Sequence, residues 1–219
     1  MKKIPIHKEL QQQDFSQLLN LDYQKKNLSR PLYSGLKRII DIVLALPAAI
    51  ILLPVMIVIA LAIRLDSKGK ALFAHKRVGK NGKIFTIYKF RTMQKDAKKQ
   101  AFSPTSQSDE RITKVGKFLR RTSLDELPQL FNIILGNMSL VGPRPEMEFI
   151  VQTYTPLEKA RLLVKPGLTG LWQIAGRKDL PLHKNLEFDL YYIENRSILF
   201  DFSIMFKTFG VVLRGKGAY

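Results

Sequence analysis

Two adjacent carboxylates, Asp125 and Glu126, stand in Ser123-Leu124-Asp125-Glu126-Leu127-Pro128, directly after Lys114, Lys117, Arg120 and Arg121. Arg144 follows in a Pro143-Arg144-Pro145 turn. An ionised aspartate is a nucleophile toward phosphorus and a ligand for a hard cation such as magnesium. Surrounding cations favour the charged form, so the pair is expected to have a low pKa. The bland alternative is helix capping: Ser123 lies three residues before Glu126, the spacing of a capping box. Both uses draw on the same field, because a helix N-terminus attracts phosphate as well as carboxylate. Arg144 is the more informative side chain. Two flanking prolines fix its backbone, and a guanidinium binds phosphate through two nitrogens. Lys89, Arg91 and Arg177 are further candidate phosphate contacts, each with an ordinary solvated-surface alternative. Asp189, set among Phe188, Leu190, Tyr191 and Tyr192, reads either as a buried ion-pair partner or as part of a site.

These residues need elements to hold them. Ala71 to Val78 and Ile84 to Phe90 alternate as strands around Asn81-Gly82, the strongest short hairpin signal. Gln94 to Ser108 reads as a polar loop or weak helix. Ile112 to Arg121 is expected to be a basic helix, and a second helix should run from Ser123–Asp125 to Leu135, with Gly136 as its cap. Pro128 then falls in a first turn, where proline is tolerated. Glycine and proline mark turns at 142–145 and 166–170. Glu187 to Tyr192 reads as helix, and Ile198 to Leu213 as an amphipathic helix for the core or a membrane interface.

The totals restrict the partners. The 219 residues carry 36 Lys and Arg against 18 acidic residues, a formal charge of +18, which points to a polyanion: nucleic acid, an anionic membrane or phosphorylated substrates. With no cysteine, thiolate metal sites, disulfides and thiol nucleophiles are excluded. His7, His75 and His183 lack metal-ligand spacing, and no Walker loop, dinucleotide fingerprint or Asp-x-Asp pair is present. The opening residues do not read as a secretory leader.

Ile42 to Ile63 runs 22 residues without a charge, roughly 33 Å of helix. A single transmembrane span is the plain reading. Basic residues flank both ends, however, and Pro47 and Pro54 lie inside. One span cannot place both ends on the cation-rich cytoplasmic side, whereas a re-entrant segment bent at Pro54 can. Asp41, one turn after Lys37, could pair with it.

Taken in order, Lys37-Arg38 with Asp41, the apolar run with Pro54, Tyr88 to Met93, Ser123 to Leu127, Val141 to Pro145, Lys165 to Gly170, Gly176-Arg177 and Asp189 to Tyr192 form a specific set. Through them the chain, over roughly residues 35 to 213, resembles the bacterial sugar transferase family, the monotopic polyprenyl-phosphate phosphoglycosyl transferases. The resemblance implies an α+β protein: a mainly helical cytoplasmic domain with a small β-hairpin, anchored by a proline-broken re-entrant membrane helix. The chain then divides into a polar segment at 1–35, outside the resemblance and read from its composition as interfacial or disordered, a re-entrant membrane helix at 36–66 and a catalytic domain at 67–219. It implies transfer of a sugar-1-phosphate from a UDP-sugar to polyprenyl phosphate with magnesium, on the cytoplasmic face of the bacterial inner membrane. Asp125 would be nucleophile and metal contact. Glu126 would position the lipid phosphate. Lys89, Arg91, Arg120, Arg144, Arg177 and Asp189 would serve substrate binding. Membrane phospholipid is a further expected partner, nucleic acid is not, and self-association is left open. One departure is Leu53, where family members often carry serine before the proline. The rival classes are a membrane-anchored nucleic-acid-binding protein and a non-catalytic scaffold of glycan assembly.

Overall fold

The computed structural model describes residues 5, 7–95, 109–175 and 186–213. The chain opens with helix α1 (His7–Gln11), a 3-10 turn at Ser16–Leu19, helix α2 (Leu21–Tyr23) and a π-helical turn at Gln24–Leu28. Leu10, Phe15 and Leu18 from this segment are buried in the main core, beside Phe188, Tyr192 and Phe200. Its polar composition hides three apolar anchors that the rest of the domain covers.

Helix α3 (Pro31–Asp66) follows, then strands β1 (Leu72–Val78) and β2 (Ile84–Phe90). Helix α4 (Lys114–Thr122), a 3-10 turn at Leu124–Glu126 and helix α5 (Gln129–Ile134) carry the acidic pair. Strand β3 (Ser139–Val141) leads through helices α6 (Glu148–Val151) and α7 (Pro156–Lys159) to strand β4 (Gly167–Thr169). Helices α8 (Leu171–Ala175), α9 (Glu187–Asn195) and α10 (Ile198–Leu213) complete an α+β fold. The strands form two small sheets: antiparallel β1–β2, with Leu72 opposite Phe90, and parallel β3–β4, with Ser139 opposite Gly167. Asn81 and Gly82 adopt positive φ at the hairpin tip, as the Asn-Gly signal requires.

The apolar segment forms one helix, continuous through Pro47 and Pro54, both exposed. A break at Pro54 is not seen: the helix runs unbroken to Asp66. Asp41, Ala45, Ala49, Met56, Ile59 and Ile63 are its buried positions, a single stripe at helical spacing. Ala45 and Ala49 pack with Ile87, Leu130, Ile133 and Met138. Further along, Met56, Ile59 and Ile63 pack with Phe90 and Leu119. Contacts on both sides of Pro54 hold the helix to one domain, which offsets the hydrogen bond that the proline removes. Polar clamps fix the two ends. Near the start, Arg38 donates to the carbonyls of Ile133 and Ile134, and Asp41 accepts from Ser139 Oγ at 3.0 Å and from the Leu140 N–H at 2.9 Å. At the finish, Asp66 accepts from the Val115 N–H at 3.1 Å. The expected Lys37–Asp41 pair does not form, because Lys37 reaches Asp201 at 2.6 Å. Leu32, Ile39, Val43, Ile50, Ile51, Val58 and Leu61 leave the opposite face apolar and exposed. On α10, Phe200 and Ile204 enter the core while Leu199, Phe202, Phe206 and Phe209 stay exposed.

Asn132, fully buried, ties α5 to β2: its Nδ2 donates to Thr86 O at 2.7 Å and its Oδ1 accepts from the Tyr88 N–H at 3.0 Å. Replacing it with alanine would strand both backbone groups. Asn132→Ala is expected to lower stability by about 2–3 kcal/mol, read as a clear drop in the thermal midpoint of the full chain in detergent; an unchanged midpoint would refute the clamp.

Candidate active site

The acidic pair does not sit in a capping box. Ser123 ends α4 in the left-handed region (φ 58°), makes no side-chain cap and turns the chain sharply. A non-glycine residue at positive φ is uncommon and frequent at functional sites. The single helix expected over 123–135 is therefore split into the 3-10 turn and α5, and the turn presents Asp125 and Glu126 toward β2 and the Pro-Arg-Pro loop.

The two acids differ sharply in their surroundings. Glu126 Oε1 is gripped from two sides, by Lys89 Nζ at 2.7 Å and Arg144 Nη2 at 3.1 Å. Asp125 makes no hydrogen bond or ion pair among the described residues, though Lys89, Arg120 and Arg144 all act on its charge. Burial is the largest influence on Asp125 and, with Glu126 beside it, pushes its pKa up to about 6, while the three cations pull it back. The expectation of a low pKa is thus overturned, since desolvation outweighs the cations. At pH 7 about nine-tenths of the carboxylate is still ionised. The same burial lowers Lys89, with Glu126 opposing, while Glu126 raises Arg144.

The loop that aims Arg144 is braced on three sides. Gly142 N–H donates to Thr169 O at 2.9 Å, and Gly167 N–H to Pro143 O at 2.9 Å. A Cβ on Gly167 would lie 2.1 Å from Gly142 N, so only glycine permits this approach. The third brace is Arg161, whose Nη2 donates to Arg144 O at 2.7 Å and to Asp189 Oδ2 at 2.6 Å, while Nη1 donates to Tyr154 Oη at 2.7 Å. Arg161 and Asp189 are both buried.

Of the eight residues singled out by sequence, Asp125, Glu126, Lys89, Arg120 and Arg144 are brought to one place. Asp189 stands one step behind, holding Arg161 and through it the Arg144 backbone. Arg91 is directed elsewhere: it is buried at the end of α3, donating to Ser67 O at 2.7 Å, Ser67 Oγ at 3.0 Å and Lys68 O. Arginine at a helix C-terminus satisfies carbonyls that have no partner within the helix. Arg177 lies outside the described residues, as does the loop over 96–108. Sequence reasoning missed Asn132 and Arg161. Their signal was present, a lone polar residue in Phe131-Asn132-Ile133-Ile134 and a lone cation in Ala160-Arg161-Leu162-Leu163.

No group of three or more metal-ligating side chains occurs among the described residues. Magnesium commonly takes one or two carboxylates and completes its shell with substrate phosphates and water. Asp125, whose oxygens are not taken up by any described residue, fits that pattern better than Glu126, which is occupied by two cations.

The profile of the bacterial sugar transferase family matches residues 32–215. The chain is 41% identical over 210 residues to the undecaprenyl-phosphate galactose phosphotransferase of Salmonella typhimurium, covering 89% of this chain and 44% of the relative. It is 43% identical over 192 residues to the UDP-glucose:undecaprenyl-phosphate glucose-1-phosphate transferase of Escherichia coli, covering 84% and 41%. With the exopolysaccharide production protein ExoY of Sinorhizobium fredii it shares 38% identity over 211 residues, covering 90% and 93%. The chain thus spans less than half the length of the first two.

The Arg161–Asp189 pair generates a test of its bracing role. Asp189→Asn leaves a buried guanidinium without its counter-ion, which typically costs about 3–5 kcal/mol. The double variant Asp189→Leu/Arg161→Met removes both charges and should regain part of the thermal midpoint lost by Asp189→Asn. A double variant as unstable as the sum of its singles would show the two side chains to be uncoupled.

Proposed function

Because the chain belongs to the bacterial sugar transferase family, we propose that it moves a sugar-1-phosphate from a UDP-sugar to a polyprenyl phosphate, with release of UMP, as the first step of membrane glycan assembly. The observation that carries this reading is the contrast between neighbours: among the described residues no partner engages the Asp125 oxygens, while Glu126 is locked between Lys89 and Arg144.

In this reading an Asp125 oxygen attacks the β-phosphorus of the diphosphate. The bond from that phosphorus to the bridging oxygen breaks, and UMP leaves with the electron pair. The phosphosugar stays on Asp125 as a mixed anhydride. An oxygen of the lipid phosphate then attacks the same phosphorus, which frees the carboxylate and gives a lipid diphosphate sugar. A carboxylate and a diphosphate repel each other, so the step requires positive charge already in place. Lys89, Arg120 and Arg144 supply it. Glu126 fixes two of these cations and limits the net charge of the cleft. Asp189, through Arg161, keeps the Arg144 loop in position. Magnesium, bound with the diphosphate and held on the protein side by Asp125, would supply further neutralisation of phosphate charge. Arg177 remains a candidate substrate contact by its place in the family pattern.

The acceptor's phosphate lies at a membrane surface, so the site must lie there too. The exposed face of α3 and the Leu199, Phe202, Phe206 and Phe209 stripe of α10 supply apolar area for burial in lipid. Both ends of α3 hydrogen-bond to the same domain, which supports a re-entrant or interfacial placement over a span from side to side. We place that domain on the cytoplasmic face of the inner membrane, following the excess of Lys and Arg at both flanks. Cysteines introduced at positions 30 and 70 should therefore react with a membrane-impermeant label from one side only; labelling from opposite sides would remove this topology.

Asp125→Asn is expected to abolish UMP release from a UDP-sugar and polyprenyl phosphate, and the trapped wild-type intermediate should carry phosphosugar on residue 125. Near-normal turnover in the variant would sink the nucleophile. The pH dependence has a definite sign. A folded-state pKa raised to about 6 means that the ionised form is lost as pH falls through about 6, so kcat/KM for the sugar nucleotide should fall about tenfold per pH unit below that value. Arg120 holds the Asp125 pKa down, so Arg120→Gln should move this acid limb to higher pH.

A further inference from the structure

A second concentration of positive charge lies at the other end of α5. A cavity of about 220 Å³ opens beside the first turns of α3, and its walls carry Arg30, Lys37, Arg38, Lys80, Lys165 and Arg196. Asp41 is the one acid among these described lining residues. That acid is already occupied by Ser139 and Leu140, and Lys37 is paired with Asp201. The ammonium groups of Lys80 and Lys165 make no hydrogen bond or ion pair among the described residues. Arg196 Nη1 is buried with no partner among the described residues.

The cations also converge. Gly136 holds φ at 85°, and a Cβ placed on it would lie 3.3 Å from Arg38 Nη2 and 3.6 Å from Lys165 Nζ. Two like charges therefore face the same small space beside a bare glycine. Lys165 feels this: burial lowers its pKa, and Arg38 and Lys80 lower it further, opposed by Asp41. Holding cations together this way is costly unless an anion joins them. A phosphate group, with several acceptor oxygens and net charge, meets that requirement.

We propose that this cavity is a phosphate site, separate from the Asp125 cleft, that takes the headgroup phosphate of an anionic membrane phospholipid. The lipid source follows from location. Exposed Leu36, Ile39 and Val43 begin the apolar face of α3 at this point, so a phosphate held here would leave its acyl chains along that face. The site is not the reacting one. Asp125 and Gly136 lie on either side of α5, and at the helical rise eleven residues amount to roughly 17 Å. One phosphate cannot touch both, so the inference stands whether or not Asp125 is the nucleophile. It gives the anchor a register: the headgroup layer would meet α3 near Arg38, fixing how deep the apolar face sits.

The test uses the full chain in a detergent with an uncharged headgroup. Short-chain phosphatidylglycerol, short-chain phosphatidylcholine and inorganic phosphate are titrated separately and bound species counted by native mass spectrometry. One saturable equivalent of phosphatidylglycerol is expected, with weaker phosphatidylcholine binding. Lys80→Gln/Lys165→Gln should weaken it by about tenfold or more, with Lys165→Gln alone intermediate. The charge-matched control Lys8→Gln/Lys159→Gln, at exposed lysines, should retain it. Inorganic phosphate binding as tightly as the lipid would keep the site but overturn the lipid as its source. Equal losses in the two double variants, or no loss in either, would overturn the site itself.

Discussion

Everything at this site depends on the way α3 lies against the domain. Its buried stripe from Asp41 to Ile63 touches the β1–β2 hairpin, α4 and α5, and these elements deliver Lys89, Arg120, Asp125 and Glu126. The alanines at 45 and 49 let backbones come close, and the longer side chains beyond Pro54 reach Phe90 and Leu119. An apolar helix whose other face is bare cannot rest in water at low cost. The element whose bare face suits lipid is thus also the floor on which the candidate site is built. In the proposed placement, depth of insertion and geometry of the site would be coupled by direct packing of α3 on the site's own elements.

The second constraint is electrostatic and very local. Two neighbouring carboxylates with similar exposure acquire different properties because three cations are shared unequally. Lys89 and Arg144 both bond to Glu126, and both only influence Asp125 through space. Burial then raises the Asp125 pKa, which makes it a more basic and less stabilised anion than the cation count alone suggests. A carboxylate fully paired with arginine would be quiet. The arrangement keeps one acid quiet and leaves the other its lone pairs.

Much of this was legible in the sequence, and the limits are physical. The hairpin, the amphipathic α10 and the glycine caps follow from local rules: Asn81-Gly82 demands positive φ, and Leu199 to Phe209 repeats at helical spacing. The acidic pair and the Pro-Arg-Pro turn stood out because their residue types are unusual together. What failed was everything set by distant partners. Lys37 was matched to its near neighbour Asp41, but α10 brings Asp201 closer. Arg91 looked like Lys89, which lies two residues before it and would share its face on a continuing strand, yet β2 ends at Phe90 and the arginine turns to the end of α3. The low pKa expected for Asp125 counted nearby cations, which a sequence shows, and missed burial, which it does not. Leu10, Phe15 and Leu18 were masked by their polar surroundings.

Part of the formal charge of +18 can now be located. In the cleft, Lys89, Arg120 and Arg144 face Asp125 and Glu126, leaving a surplus of one positive charge before substrate enters. At the foot of α3, six cations line a cavity with one acid, and that acid already accepts from Ser139 and Leu140. Of these two the larger surplus lies where the apolar helix begins, away from Asp125. If all the positive charge served the reaction, it would cluster on Asp125 and depress its pKa and its nucleophilicity together. Placing positive charge some distance away resolves that conflict: in the proposed reading the cations at the foot of α3 supply attraction to anionic surfaces, and the cleft keeps what a diphosphate would need.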